Sequence, residues 1–158
     1  MNYWRLVTHD RNPELALEEY RRRNLIALGW GPVGHLSAWQ PDSHETIQTA
    51  IQNIPNFVSP ASAVSGGQCL WYFYHEMQVG DLVILSIGQG PLQDVVEVTG
   101  NYEWIPTPVF PGGDLFQNDY HHIRRVRWRT DLDGRQLWNT LNPPPFTRRA
   151  LIQLQAAT

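Results

Sequence analysis

The alternation of apolar and polar positions in the first half of the chain predicts two strands and two helices. Residues 2–9 alternate with a period of two, and residues 25–28 form a short apolar run, so both segments are predicted strands. Residues 12–23 begin with Asn-Pro, which is typical of a helix start because Asn caps and Pro suits the first helical position. A second helix follows a cap at Asp42 or Ser43, and its apolar positions recur with helical spacing.

The second half of the chain alternates less regularly and contains more turn signals. Its predicted elements are a loop over residues 56–67, a helix over 68–78, a hairpin of strands over 82–87 and 95–99, a short strand over 102–106, a loop over 106–119, a strand over 120–130, a helix over 134–141 and a last helix over 147–155. These elements predict an α+β fold with five or six strands and three or four helices. We expect a single domain over residues 1–158.

The composition is that of a foldable globular chain, because 42% of the 158 residues are hydrophobic and 17% are charged. The one cysteine, Cys69, cannot form an internal disulfide, which excludes a disulfide-stabilised secreted scaffold. The first ten residues contain no signal-peptide pattern, and no apolar stretch approaches the roughly 18 residues of a membrane span. We therefore expect a cytoplasmic protein without a membrane partner.

The net charge of −3 hides an uneven distribution of charged residues. Residues 1–120 carry five Arg and 13 acidic residues, whereas residues 121–158 carry seven Arg and two acidic residues. Within the predicted strand over residues 120–130, Arg125, Arg127 and Arg129 share one face. This face is either a solvated strand surface or a track for nucleic-acid phosphates, and the sequence leaves both interpretations open.

Several motifs for catalysis and cofactor binding are absent or misplaced. Gly29, Gly31 and Gly34 spell the GxGxxG motif of dinucleotide-binding loops, but no helix begins at Gly34 and Pro32 interrupts the loop. The six histidines show neither HxxxH nor HExxH spacing, so no metal site is predicted. No nucleophile signature is present, and we expect neither a cofactor nor catalysis by this chain.

Five of the seven tryptophans divide into two groups by position, and Trp39 and Trp138 are not assigned. Trp4, Trp71 and Trp128 lie in periodic segments beside apolar neighbours and are predicted core residues. Trp30 lies between two glycines where a predicted strand ends, and Trp104 follows the predicted hairpin. Large rings at loop mouths are unfavourable unless they pack or bind something, so these two rings are candidate binding residues.

Six segments, in order along nearly the whole chain, resemble an EVE domain, a PUA-like family related to YTH domains. The segments are Tyr3-Trp4-Arg5-Leu6, residues 24–31 with Leu36-Ser37, Leu70-Trp71-Tyr72-Phe73 with Met77, Gly80-Asp81-Leu82-Val83-Ile84, residues 96–102, and residues 122–128. The chain most resembles the EVE-like modules of modification-dependent restriction systems of the McrBC type. It departs from the family pattern at His35, where an acidic residue is expected after Gly34.

The resemblance implies a small curved β-barrel flanked by helices, with a pocket that receives a base flipped out of a duplex. It implies that Trp30 and Trp104 sandwich a methylated base, that Thr8, His9, Ser37 and Tyr102 add contacts to the base, and that Arg125, Arg127 and Arg129 bind phosphates. The chain would then read methylated DNA, and any nuclease or NTPase activity would belong to a fused or associated protein. The base, N6-methyladenine or 5-methylcytosine, stays open.

Three alternatives remain open at the level of the sequence. The first is a reader of N6-methyladenine in RNA, as in YTH domains. The second is a nuclease or hydrolase that uses loop carboxylates, with candidates at Glu97, Glu103, Asp114 and Asp119. The third is a domain that binds a small molecule or a protein partner through the same aromatic pocket.

Overall fold

The structure is a computed structural model that describes residues 1–9, 11–55, 60–87, 92–110, 119–141 and 149–154. Seven strands and five α-helices lie within these ranges. In chain order they are β1 (Tyr3–Val7), α1 (Pro13–Arg23), β2 (Leu25–Leu28), α2 (Leu36–Trp39), α3 (His44–Gln52), α4 (Pro60–Trp71), β3 (Leu82–Ser86), β4 (Leu92–Val98), β5 (Glu103–Trp104), β6 (His122–Trp128), α5 (Gly134–Thr140) and β7 (Leu151–Leu154). A 3₁₀ turn spans Gly31–Val33, and a π-helical segment, Tyr72–Glu76, continues α4.

The strands follow the order β2-β6-β4-β3-β1-β7, and β5 pairs with β6 beside this path. The pairing of β1 with β3 is parallel, whereas β1 pairs with β7, β3 with β4, and β4 and β5 with β6 in antiparallel fashion. Strands and helices both contribute to the fold, so the predicted α+β class is confirmed.

The chain divides into two compact units. The first unit comprises Met1–Ile26, Met77–Asn101 and Arg125–Thr158, and the second comprises Ala27–Glu76 and Tyr102–Arg124. The prediction of a single domain is not tested by this division and stays a prediction.

The first unit is held by an apolar core and by one buried carboxylate. The core side chains come from β3, β4, β7 and the end of α5, and they are Leu82, Ile84, Val95, Leu141, Ile152 and Leu154. Asp81 is buried and accepts hydrogen bonds from the indole N–H of Trp4 and from the backbone N–H groups of Asn2 and Gln78. Buried carboxylates require such donors, so Asp81 fixes the start of β3 beside β1. Trp4 is fully buried, as predicted.

The second unit is built on the contact between α3 and α4. Gly66 and Gly67 of α4 face α3, and a Cβ on Gly66 would stand 2.7 Å from the ring of Trp30 and from Ile51. A Cβ on Gly67 would stand 2.7 Å from the backbone oxygen of His44. The missing side chains therefore allow the two helices to approach closely.

Two predicted elements are wrong. Residues 56–67 were expected to be a loop because they are rich in Ser, Pro and Gly; residues 56–59 lie outside the described residues, and residues 60–67 form the first two turns of α4. Close packing against α3 outweighs the low helix propensity of Gly66 and Gly67. The last helix, expected over residues 147–155, is instead β7, because Leu151–Leu154 pairs with β1.

Candidate functional site

A half-exposed aromatic cluster in the second unit surrounds Trp104. Strand β5 pairs with β6 so that Trp104 lies opposite His122. The Trp104 ring stacks on His121, with 4.2 Å between ring centroids and 10° between planes. It also meets the edge of His122 at 5.3 Å. Because His121, directly before β6, and His122, its first residue, both contact the ring, Trp104 has a fixed orientation while part of its surface stays in solvent.

His35 presents a second ring parallel to Trp104. The two ring centroids are 6.5 Å apart and the planes differ by 16°. His35 is exposed and follows Gly34, whose φ of +83° is a conformation that favours glycine. The His35 ring also lies 5.9 Å from Tyr102, and Tyr74 meets Tyr102 edge-on at 5.2 Å. We call these six rings the Trp104 cluster: His35, Tyr74, Tyr102, Trp104, His121 and His122.

A chain of hydrogen bonds fixes the buried side of the cluster. The backbone N–H of Leu36 donates to the Tyr102 hydroxyl oxygen at 3.1 Å, and that hydroxyl lies 2.7 Å from Nδ1 of His122. Nε2 of His122 lies 3.3 Å from the carbonyl oxygen of Trp30. A carbonyl oxygen only accepts hydrogen bonds, so Nε2 of His122 carries the ring proton. In neutral His122 the other nitrogen, Nδ1, then accepts a hydrogen bond from the Tyr102 hydroxyl. Every polar atom of the two side chains therefore has an assigned partner.

Burial keeps both groups of this chain neutral. Desolvation lowers the pKa of His122 to about 3, against the opposing effect of its bond to Trp30. Desolvation also raises the pKa of Tyr102 above its ordinary value. With its Nδ1 occupied and its pKa so low, His122 is unsuited to act as a general base near neutral pH. The pair serves to position the cluster.

Gly31 explains part of the GxGxxG pattern in structural terms. Its backbone N–H donates to the Asp119 carbonyl at 2.9 Å, and a Cβ on Gly31 would stand 2.4 Å from that oxygen and 2.6 Å from the His121 ring. The imidazole of His121 is held from its other side, because its Nδ1 lies 2.7 Å from the Ile105 carbonyl and donates to it. The missing side chain of Gly31 thus allows its backbone to lie close to the His121 ring, on which Trp104 stacks.

Trp30 differs from its predicted placement. It was expected to have few neighbours, but it is only 9% exposed, and its indole packs over Gly66 of α4 beside Ile51. Its φ of 55° is rare for a bulky residue, so the backbone is strained to seat this ring. Its proposed role as a base-stacking wall stays a prediction, and its burial favours a role in packing.

The other predicted base contacts are distributed over both units. Tyr102 is 9% exposed and belongs to the hydrogen-bond chain described above, and Ser37 is exposed on α2 next to Leu36. Thr8 and His9 belong to the first unit, where Thr8 donates to the Pro13 carbonyl and His9 Nδ1 accepts from the backbone at the start of α1. Their contact with a base stays a prediction.

Carboxylates occupy part of the predicted phosphate track. Arg127 and Arg129 both bind Glu97, at 2.8 and 2.9 Å, and Arg129 also binds Asp131 at 2.8 Å. These bonds lower the pKa of Glu97, and the bond from Arg129 lowers that of Asp131 to about 2. Arg125 is exposed. The track would therefore need rearranged ion pairs before all three arginines could bind phosphates.

A cavity of about 590 Å³ lies in the first unit. Its wall includes Trp128, whose ring has the Arg21 guanidinium 6.0 Å from its centroid, and Arg21 pairs with Asp94. Asp133 also lines it but accepts the Gln136 backbone N–H as a helix cap. Most charged groups here are already matched within the protein, so the cavity shows no specific ligand chemistry.

Among the described residues, the carboxylates suggested for hydrolysis show no recognisable catalytic arrangement. Glu97 is bound to two arginines, Glu103 is exposed on β5, and Asp114 lies outside the described residues. Asp119 Oδ2 is 3.9 Å from His121 Nε2. Within the described ranges, no group of three His, Cys, Asp or Glu side chains is placed to hold a metal ion. No helix in that part of the chain is long and apolar enough to cross a membrane.

The three histidines of the cluster and the buried Arg124 were not predicted from the sequence. Arg124 donates from Nε to the Phe73 carbonyl in the π-helical segment at 2.9 Å. The adjacent pair His121-His122 lies at the start of β6: His121 directly precedes the strand and is half-buried, whereas His122 begins the strand and is fully buried. Its importance depends on pairing with β5, and a two-residue strand leaves no periodic signal in the sequence.

Comparison with known proteins identifies a family but no activity. The model of a domain of unknown function, DUF8426, matches residues 4–155. No curated protein matches the chain.

Proposed function

We propose that this chain, which belongs to the DUF8426 family, is a binding module that reads a modified base in DNA. The base is flipped out of the duplex and stacks on Trp104. Under this proposal the strands form the small curved barrel of PUA-like EVE domains, and the arginines after His121 contact phosphates. Strand cleavage, if coupled to reading, belongs to another domain or protein.

The observation that carries the proposal is the fixed, partly exposed ring of Trp104. It is stacked on His121 and held edge-on by His122, while a second, parallel ring stands 6.5 Å away. A binding site works best when its stacking surface is already oriented, since little conformational entropy is then lost on binding. Aromatic platforms of this kind bind bases by their faces.

The energies are of the right order for a flipped base. Extruding a base costs a few kcal/mol, and stacking on an aromatic side chain returns about 1–3 kcal/mol. Contacts to phosphates add affinity that is independent of sequence and sensitive to salt. Discrimination of one methyl group by an apolar surface is worth about 1–3 kcal/mol, so we expect modest selectivity.

The first prediction concerns Trp104→Ala. We expect this variant to bind a duplex with one N6-methyladenine or 5-methylcytosine roughly five- to 150-fold more weakly than the unchanged protein, because one stacking interaction is removed. The affinities are measured by fluorescence anisotropy with labelled duplexes that differ only in the modified base. The matched control is Trp39→Ala, which removes a more exposed Trp on α2 and should leave binding unchanged.

Two outcomes would contradict the proposal. One is equal binding of modified and unmodified duplexes by the unchanged protein. The other is an unchanged affinity of Trp104→Ala for the modified duplex, when thermal unfolding shows that Trp104→Ala and Trp39→Ala are both folded. Competition by single-stranded RNA of the same sequence, methylated at one adenine, tests the RNA alternative: stronger binding of that RNA than of the DNA would replace DNA as the target.

A further inference from the structure

We infer that the Trp104 cluster selects a methylated base that carries a positive charge, and that it binds such a base more tightly than a neutral base with its methyl group elsewhere. The inference rests on the proposed function, since it names the chemical class of base that this site takes. Bases methylated on a ring nitrogen of the Watson–Crick edge, such as 1-methyladenine and 3-methylcytosine, belong to this class because they are cations near neutral pH.

The first argument is the distribution of basic residues over the two compact units. Eleven of the twelve arginines belong to the first unit, and the chain contains no lysine. Residues 24–123 contain neither arginine nor lysine. The second unit has one arginine, Arg124, and six acidic residues, which are Asp42, Glu45, Glu76, Glu103, Asp114 and Asp119. The charge of this unit therefore disfavours an anionic ligand and favours a cationic one.

The one arginine of the second unit is not available to a ligand. Arg124 is 2% exposed, and its Nε donates to the Phe73 carbonyl oxygen at 2.9 Å. The buried imidazole of His122 supplies no positive charge near neutral pH, because desolvation lowers its pKa to about 3. Neither side chain therefore presents a positive charge to a ligand at Trp104.

The second argument is the chemistry of the groups at the site itself. The partly exposed side chain of Trp104 is an indole, the aromatic group that attracts cations most strongly. His121 stacks on this ring, and Oδ2 of Asp119 lies 3.9 Å from Nε2 of His121. A carboxylate therefore lies beside the stack. The indole face and this negative charge both attract a cationic base, whereas a neutral base gains only the stacking interaction.

Cationic bases also fit the proposed mode of binding. Their methyl groups block Watson–Crick pairing, so such a base is unpaired in a duplex and costs less to extrude than a paired one. A planar cation lies flat on an indole and gains stacking and electrostatic attraction together. A tetrahedral ammonium group, as in trimethyllysine, contacts the same face only through its methyl groups. The partly exposed face of one ring therefore favours a base over a methylated protein side chain.

The second prediction compares bases that differ in the position of one methyl group. In single-stranded oligonucleotides of one sequence, we expect 1-methyladenine to bind roughly two- to 30-fold more tightly than N6-methyladenine, because only the first is a cation. A single strand removes the difference in base pairing between the two. Competition against one labelled strand, followed by fluorescence anisotropy, gives both affinities. The cation 3-methylcytosine and the neutral base 5-methylcytosine provide a second pair.

A matched pair of variants tests the contribution of the carboxylate. Asp119→Asn keeps the shape of the side chain and removes its charge, so we expect the preference for 1-methyladenine to fall roughly two- to fourfold while the affinity for N6-methyladenine stays unchanged. Glu45→Gln removes a charge from α3 of the same unit, where the carboxylate pairs with His44, and should leave the preference unchanged. Thermal unfolding shows whether both variants are folded. The comparison of bases in the unchanged protein decides the inference even where a variant does not fold.

The outcomes separate this inference from the proposed function. If N6-methyladenine binds as tightly as 1-methyladenine and both bind more tightly than adenine, the selection of a cation is overturned and the proposed function stands. If Asp119→Asn and Glu45→Gln change the preference equally, the role of Asp119 is overturned. If a peptide with trimethyllysine binds more tightly than the 1-methyladenine strand, a base as the cation is overturned. If no modified strand or duplex binds more tightly than the unmodified one, the proposed function and the inference both fail.

Discussion

At the residue scale, the neutral state of His122 links the cluster to the stability of the protein. The imidazole is fully buried, and its pKa of about 3 in the folded chain lies well below the ordinary value of 6.5. Above pH 6.5 the imidazole is neutral in both the folded and the unfolded chain, so it adds no pH dependence. Between pH 6.5 and about 3 the unfolded chain binds a proton that the folded chain does not, and folding is progressively disfavoured.

The third prediction follows from this difference in proton binding. We expect the free energy of unfolding to fall as pH drops from 6.5 towards 4, with a contribution from His122 of up to about 1.4 kcal/mol per pH unit. His122→Gln removes the titrating group and keeps one donor and one acceptor. Urea unfolding at a series of pH values should give a shallower pH dependence for this variant. Parallel pH profiles in both proteins would contradict the assignment.

At the element scale, α4 shows how packing outweighs local preference. Its Gly66 lies under the Trp30 indole, so the helix keeps a residue that is about 1 kcal/mol worse than Ala in a helix interior. The close contact also explains the strained backbone at Trp30, since the ring must enter the space above Gly66. The Trp30 ring therefore packs the loop that follows β2 against helices α3 and α4.

The fourth prediction tests this contact with Gly66→Ala. An exposed helical glycine changed to Ala usually stabilises a protein, but here we expect destabilisation by about 1–3 kcal/mol, because the new Cβ would meet Trp30 and Ile51 at 2.7 Å. Adding Trp30→Phe should relieve part of that destabilisation, because the smaller ring leaves room. Denaturant unfolding of the two single variants and the double variant measures the coupling; strictly additive effects would show that the residues do not interact.

Sequence patterns predicted the elements whose signals are local. The strands before and after α1 and the cap at Ser43 agree with the structure. Helix α1 begins at Pro13 as predicted, but the Asn12 side chain makes no cap hydrogen bond. The patterns failed at α4 and β7, where tertiary contacts decide the conformation. Trp104 was found because its position was unusual, but His35 and His121 were not, because their role depends on how a short strand and a loop meet.

At the scale of the whole molecule, ion pairs within the protein occupy part of its arginine charge. The net charge is −3, and two of the three arginines on the predicted phosphate track bind Glu97. Arginines in such pairs contribute less to the long-range attraction of DNA than their number suggests. Any general affinity for DNA therefore depends on how many of these arginines exchange a carboxylate for a phosphate.

The fifth prediction concerns the salt dependence of DNA binding. We expect the double variant Arg125→Gln, Arg127→Gln to weaken the binding of modified and unmodified duplexes equally. The slope of log K against log salt concentration should fall in magnitude by up to about 0.9 for each phosphate that an arginine no longer neutralises. Glu97→Gln should strengthen the binding of both duplexes, since it releases Arg127, whereas Arg129 keeps its ion pair with Asp131. An unchanged slope in the arginine variant, or weakening confined to modified DNA, would contradict the phosphate track.

The position of β1 in the sheet has a consequence for protein synthesis. This strand leaves the ribosome before either of its neighbours, and one of them is β7, with Tyr3 opposite Leu154. Its other neighbour, β3, also follows much later in the chain. Until translation reaches β7, β1 has an unpaired edge, and open edges of apolar strands recruit other chains. Chains whose synthesis stops before Leu151 should accumulate as aggregates rather than as soluble fragments.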